Sequence, residues 1–489
     1  MNKNFPLKFI LFALLFSVFS CKKSDVSQKT VDVGTPGQTL PDTFVVKPDS
    51  SVSINLSVNS IGPVVPNDFL GFSFEKLILT DTTYFNVSNT AFINLFKNLG
   101  TGLIRIGGAT VDKISWANNQ RNSPTQDFVF TNDVDRFTKF SQAVGWNTIW
   151  GLNFNQAQLS NDAQETAYVK GKLGASLSSI AIGNEPEYFP LNGLRAKTYN
   201  YSTFIDEYRN FANVLENKVP GIIFSGPETN EPGWGNSFLK DRNGKINLFS
   251  LHYYRMGPAG NPSVTMKKLM VFDPWLNDII QYLKPGVIAD KVPFRFTECN
   301  SVYHGGQDGI SNAFGSSLWG TEFLFYLAQQ GIAGVNFHTG GGSQYVYSPI
   351  NTVNNKNVAR PLYYAMLLFK QAAVKQFLKT DFPNTPASMD AYSFIRKDGK
   401  TAMVVINKDD TKDIDLFVNS KTAISTTTTY QLYAPSLSST SGTNINGASV
   451  GDDGTFKVNG VVTNNKLGTS SKWVNLKIRA ASASLIIFN

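Results

Sequence analysis

Cysteine is almost missing from this chain, with two in 489 residues. Cys21 lies near the N-terminus, where lipidation is expected, and Cys299 in the body, so no disulfide is expected to staple the folded part. Histidine is nearly as scarce: His252, His304 and His338 are all there is. No two have the i, i+4 spacing of a helical ligand pair, so they read as pocket walls that hydrogen-bond. No metal and no cofactor is expected. Charge is sparse too, at 16% against 42% hydrophobic residues, which excludes a disordered chain. No Lys/Arg run with interleaved aromatics occurs, so nucleic-acid binding is not expected. The net charge of +8 would suit an acidic substrate or an anionic surface, or an ordinary basic protein.

The N-terminus reads as a leader. Lys3 and Lys8 precede an apolar stretch over 9–19 that is too short to span a membrane as a mature helix. Val18-Phe19-Ser20-Cys21 resembles a bacterial lipobox, so residues 1–20 are expected to be removed and Cys21 lipidated. An ordinary secretory signal is the plainer alternative. Residues 21–50, rich in Ser, Thr, Asp, Pro and Gly, read as a flexible tether. The expected location is the bacterial cell envelope, at the outer membrane or cell surface, with a membrane contact through the lipid.

A strand is expected over 51–60, where residues 52–58 alternate apolar and polar. Over 66–355, short apolar runs alternate with helical segments. Strands are expected to end near Phe74, Ile106, Phe154, Gly183, Gly226, Tyr254, Glu298 and His338. Eight strands over this length predict an α/β fold, a (β/α)₈ TIM barrel. A doubly wound open sheet is the alternative, but no glycine-rich phosphate loop follows the first strand. One more helix is expected from Pro361 to about Phe377. The rest of 361–489 reads as a C-terminal β-sandwich, which the strand at 51–60 is free to join.

Two glutamates close apolar strands: Glu185 in Ile182-Gly183-Asn184-Glu185-Pro186 and Glu298 in Phe294-Arg295-Phe296-Thr297-Glu298. A carboxylate at the mouth of a core strand is costly unless it is paired or used. Barrel chemistry sits at the C-terminal strand ends. Two carboxyls facing one pocket suit glycoside hydrolysis, with Glu185 as acid/base and Glu298 as nucleophile. Asn184 is placed to bind a sugar hydroxyl. A rival reading makes Cys299 a nucleophile with His304 as its base.

These residues resemble glycoside hydrolase family 79, the β-glucuronidase and heparanase family. The resemblance runs from Gly71 onward. Gly71-Phe72-Ser73-Phe74-Glu75 is similar to its first barrel strand, and Arg105-Ile106-Gly107-Gly108 with Asp112 to its second. Asn184-Glu185 matches the acid/base position and Glu298 the nucleophile. The resemblance implies a barrel plus β-sandwich and a retaining mechanism. It also implies a uronic acid carboxylate held by Tyr303 and Gly305, with His304 where heparanase-like members have glycine. Tyr253 is read as the donor to the nucleophile, with Tyr254 competing because side chains alternate. Glu75 is read as holding a substrate hydroxyl or pairing with Arg105, and His338 as a pocket residue ending the eighth strand. The expected substrate is an acidic oligosaccharide or a glucuronide. A retaining glycosidase for a neutral sugar and a non-catalytic carbohydrate-binding lipoprotein are the alternatives.

Overall fold

Eight short strands, buried along nearly all their length, close into a parallel barrel. They are β1 (Gly71–Glu75), β2 (Leu103–Gly107), β3 (Asn147–Leu152), β4 (Leu177–Ile182), β5 (Phe224–Thr229), β6 (Ile246–Met256), β7 (Phe294–Val302) and β8 (Gly334–Thr339). β8 pairs with β1 in parallel, Phe337 level with Phe72 and His338 with Ser73, which completes the ring. Strands covered on both faces need apolar side chains on both, so they read as continuous apolar runs. The computed structural model describes residues 52–489 except 156–157, 243–245, 343, 354–355, 383–384 and 465–471. The expected leader, Cys21 and tether lie outside the described residues. Among the described residues, no helix is long and apolar enough to cross a membrane.

The helices around the barrel show why their sequences fold as they do. Thr90–Asn98 starts where the Asn89 side chain accepts the Phe92 N–H, and it buries Phe92, Ile93, Leu95 and Phe96 along one stripe. Phe314–Gln330 is different, because it is buried almost all round. Its inner side packs on the barrel. Its outer side meets a second domain, with the Phe325 ring 5.0 Å from Phe369, 6.1 Å from Tyr392 and 5.8 Å from Phe394.

That second domain takes the form of one continuous ten-stranded sheet rather than two separately bonded sheets. Val52–Ile61 runs antiparallel to Val374–Asp381 and parallel to Ile414–Asn419. The strand Thr401–Asn407 explains the layering. Met403 and Val405 face a core shared with Val52, Ile54, Leu416 and Val474. Ala402, Val404 and Ile406 face the core shared with the barrel helices. Lys408 seals the seam, reaching Glu322 at 3.1 Å and Asp390 at 2.7 Å in a buried ion cluster. The helix after Pro361 is shorter than expected: it ends at Ala372, and Ala373 turns the chain through φ +48°. Residues 374–377 belong instead to the strand Val374–Asp381, in which Val374, Phe377 and Leu378 are buried and Lys375 is exposed.

Candidate active site

The register of β7 builds the site. Phe296 is level with Leu251 of β6, yet Glu298 is level with His252, so β7 carries one extra residue. Such a bulge re-aims side chains. Here it lets sequence neighbours Thr297 and Glu298 both reach the barrel interior. Thr297 Oγ1 donates to Glu228 at 3.0 Å, and Glu298 Oε2 accepts from Arg105 Nη1 at 2.8 Å. The next residue, Cys299, is buried in the apolar core, its Sγ donating to the Asn336 carbonyl. Burial, and then the charge of Glu298, pushes its thiol well up. His304 is exposed on the following loop. The cysteine–histidine reading therefore fails on geometry.

Arg105, wholly shielded from solvent, joins the carboxylates. Nη1 donates to Glu298 and to Ser73 Oγ, Nη2 donates to Asn184 Oδ1 at 2.8 Å, and Nε lies 2.7 Å from Glu228 Oε2. Glu298 Oε1 accepts a second bond, 2.8 Å, from the Tyr254 hydroxyl. Burial alone would raise the Glu298 carboxyl. The charges of His338, His252 and Arg105, with the Tyr254 bond, hold it far below the usual carboxylate range. Its carboxylate is desolvated yet faces cations that favour the charged form, the state a carboxylate nucleophile needs.

Glu185 follows β4 in a left-handed conformation, φ +48°. For a residue with a Cβ this costs about 1–2 kcal/mol, a strain that gathers at functional sites. The surroundings enforce it: its N–H donates to the Glu228 carbonyl at 2.7 Å, and its Oε1 is 2.9 Å from His252 Nδ1. The other imidazole nitrogen, Nε2, is 3.1 Å from Glu228 Oε2. Burial would lower the His252 pKa, but the charge of Glu298 and the bonds to Glu185 and Glu228 raise it to about 9. An oxygen of Glu185, an oxygen of Glu298 and a nitrogen of His252 lie within 4.8 Å of one another. Three such atoms could in form hold a cation. Both nitrogens of His252 are committed to carboxylates, and a guanidinium already sits on Glu298, so this donor set suits proton transfer rather than a metal.

The remaining expected residues fall as follows. Asn184 sits beside both carboxylates, its N–H donating to Asp112 Oδ2 at 2.9 Å. Burial pushes the Asp112 carboxyl up to about 7, against the backbone bonds it accepts. Glu75 does not hydrogen-bond Arg105. Its carboxylate accepts from the Thr110 N–H and hydroxyl at 2.8 and 2.6 Å and lies 3.4 Å from His338 Nε2. His338 Nδ1 is 3.0 Å from Ser73 Oγ and 3.5 Å from Glu298. Tyr253 is not the donor to Glu298. Its hydroxyl turns outward to Asp273 at 2.6 Å, and Tyr254 takes the inward position.

Tyr303, His304 and Gly305 form the rim beyond β7. The Tyr303 ring lies over Gly257, where a Cβ would stand 2.2 Å from it. His304, Gly305 and Gly306 all have positive φ, at 62°, 86° and 92°. A Cβ on Gly305 would stand 2.1 Å from the Gln344 carbonyl, so only glycine fits. Among the described residues, the N–H groups of these three have no hydrogen-bond partner.

Sequence reasoning missed Glu228. Its strand begins from the apolar Ile222-Ile223-Phe224, but Ser225-Gly226-Pro227 stand between those residues and the glutamate, so the strand-end signal of Glu185 and Glu298 is weak here. It also missed Glu187, whose Oε1 accepts the Asn230 N–H at 2.8 Å. Burial and the charge of Glu185 raise that carboxyl to about 7.

The two tyrosines give a sharp test. Tyr254→Phe removes a hydrogen bond to a charged group, worth roughly 1.5–3 kcal/mol, so kcat/KM for glycoside cleavage should fall about 10- to 100-fold. Tyr253→Phe should leave kcat/KM within about threefold, because its partner Asp273 lies outside the pocket. Steady-state kinetics on the two variants decide. The reverse ranking would overturn the assignment.

No family-level sequence profile matches the chain. A β-glucuronidase of Neurospora crassa is 27% identical over 395 residues, 70% of this chain and 69% of its own length. A β-glucuronidase of Aspergillus niger is 25% identical over 368 residues, 64% of this chain and 66% of its own. Heparanase-like protein 3 of Arabidopsis thaliana is 23% identical over 374 residues, 67% and 66% of the two chains. Among solved structures, a 4-O-α-L-rhamnosyl-β-D-glucuronidase from Fusarium oxysporum superposes with TM-score 0.73 at 17% identity, over 89% of this chain and all of that one. A family 51 α-L-arabinofuranosidase from Thermotoga petrophila gives 0.69 at 14% identity, over 90% of this chain and 100% of that one. At these identities the structural likeness is one of fold alone. The sequence likeness goes further: over about two thirds of its length the chain is similar to curated β-glucuronidases and a heparanase-like protein.

Proposed function

We propose that the chain is a retaining β-glucuronidase, releasing glucuronic acid from glycans or glucuronides. The carrying observation is the closeness of the two carboxyls, with oxygens of Glu185 and Glu298 within 4.8 Å. Retaining enzymes hold their carboxyls about 5–5.5 Å apart, whereas inverting ones leave about 6.5–9.5 Å for a water. Glu298 attacks the anomeric carbon while Glu185 protonates the departing aglycone oxygen. The resulting glycosyl-enzyme is opened by a water that Glu185 deprotonates. The curated β-glucuronidases among its relatives support the sugar assignment. So does the rim, where Tyr303 and the N–H groups of His304, Gly305 and Gly306, unpartnered among the described residues, offer donors to a carboxylate without a full counter-charge.

Glu298→Gln should abolish turnover of an aryl glucuronide while leaving its binding intact. In the wild type, the first-formed product should be the β anomer by proton NMR. Early appearance of the α anomer would mean inversion and sink the mechanism.

Tyr303→Phe tests the sugar. Loss of one charge-assisted bond predicts a fall of about 10- to 100-fold in kcat/KM on a glucuronide. A matched glucoside, which lacks the carboxylate, should be nearly unaffected. An equal loss on both substrates would remove Tyr303 from carboxylate recognition and favour a neutral sugar.

The reading extends to location: we propose lipidation at Cys21 and anchorage to the cell envelope. It is supported by the short apolar leader and the small residue before the cysteine. Wild-type protein should fractionate with membranes, and Cys21→Ala should release it. Wild-type protein found wholly soluble and cleaved elsewhere would reject the anchor.

A further inference from the structure

The geometry points to Glu228 as a positioning residue that holds both halves of the catalytic machinery and supplies a counter-charge that stays constant through the reaction. This rests on the glycosidase reading above. One oxygen carries the argument. Glu228 Oε2 lies 2.7 Å from Arg105 Nε, 3.1 Å from His252 Nε2 and 3.0 Å from Thr297 Oγ1. Arg105 continues to Glu298 and His252 continues to Glu185, so the nucleophile and the acid/base meet at this one carboxylate. The backbone repeats the link, since the Glu228 carbonyl accepts the Glu185 N–H at 2.7 Å. Glu228 is itself pinned at φ +58°, with its N–H donating to Ser250 Oγ.

Its place is explained by the changing charges around it. When Glu298 bonds to the anomeric carbon and the aglycone leaves with the proton of Glu185, the Glu298 carboxylate becomes a neutral ester and Glu185 becomes charged. Hydrolysis reverses both changes. Arg105 and His252 would lose and regain a partner at each half-reaction. Glu228 is fully buried, takes no part in the bond changes and keeps its charge. Burial would raise its pKa, but Arg105 and the His252 bond hold it at about 2.

His252 is the natural reporter. Donating to Glu185 and Glu228 together requires the doubly protonated ring, because neutral imidazole has one N–H. The charged groups facing it are Glu185 from the end of β4, Glu228 from β5, Glu298 from β7 and Arg105 from β2. Removing the Glu228 charge should release the imidazole proton at lower pH.

The test is Glu228→Gln, of the same shape without the charge, in full-length protein with isotope-labelled histidine rings. The chain has only three histidines, so the signals of His304 and His338 serve as internal references. Wild-type His252 should keep its proton to about pH 9. In the variant its midpoint should drop by a unit or more. kcat on an aryl glucuronide should fall about 10- to 100-fold with KM little changed, and the alkaline limb of the rate profile should move down with His252. A folded variant with wild-type titration and kcat would overturn the proposal. If the variant does not fold, wild-type titration near the ordinary value of about 6.5 overturns it instead. Wild type inactive on glucuronides would sink the proposed function, while the histidine titration would still report on Glu228.

Discussion

A guanidinium sealed from water must find its donors' partners and its counter-charge inside the protein, or the barrel does not close around it. Arg105 meets this demand with Glu228 and Glu298 as charges and Ser73 and Asn184 as neutral partners. These partners come from β1, the end of β4, β5 and β7. The site therefore exists only in the closed ring, and each partner loses its place if Arg105 is displaced. Breaking such a buried pair from one side costs about 3–5 kcal/mol, because the surviving charge is left unsatisfied.

The same strand β7 shows how the barrel divides its labour. Near its start, Arg295 is also buried, but carbonyls of Asp68, Phe69, Ala333 and Val335 and the Asn336 side chain take its donors. No carboxylate is needed to hold it, and burial lowers its pKa to about 10. Three positions on, Glu298 stands among opposite charges and is driven the other way. The bottom of the barrel holds a buried cation with carbonyls, and the top holds one with the carboxylates of the candidate site, at the end where this fold places its chemistry. Among the described residues, the side chains that hydrogen-bond Glu185 and Glu298 all come from the barrel. The second domain's sheet packs against the outer face of Phe314–Gln330, so its contribution is to cover apolar surface.

The site's protonation states follow from alternation of charge. His252 stands among carboxylates and binds its proton more tightly; Glu298 stands among cations and loses its own more readily. Glu187, buried and beside another carboxylate, moves up. Burial acts against the charged form of every one of these groups; pairing reverses its effect at His252 and Glu298, whereas at Glu187 the two act in the same direction.

Much of the scaffold was legible because burial on two faces writes continuous apolar runs into parallel strands, and helices between them write a longer period. Eight strands and the carboxylates at their mouths could be read that way. The phase of the pleat could not. Tyr253 and Tyr254 are equivalent in sequence, and only the paired register of β6 and β7 shows which faces Glu298. Glu228 went unread, because Ser225-Gly226-Pro227 separate it from the apolar residues of its strand and its meaning lies in reaching Arg105 and His252 from another strand. The helix beyond Pro361 looked longer than it is, since the apolar residues that prolong it suit the strand that follows equally well. The sequence by itself determined the kinds of element and the residue types able to do chemistry, because local periodicity and composition are properties of neighbours along the chain. Tertiary structure alone decided which charges share a pocket, because an ion pair depends on distance in space, and closure of the ring sets that distance.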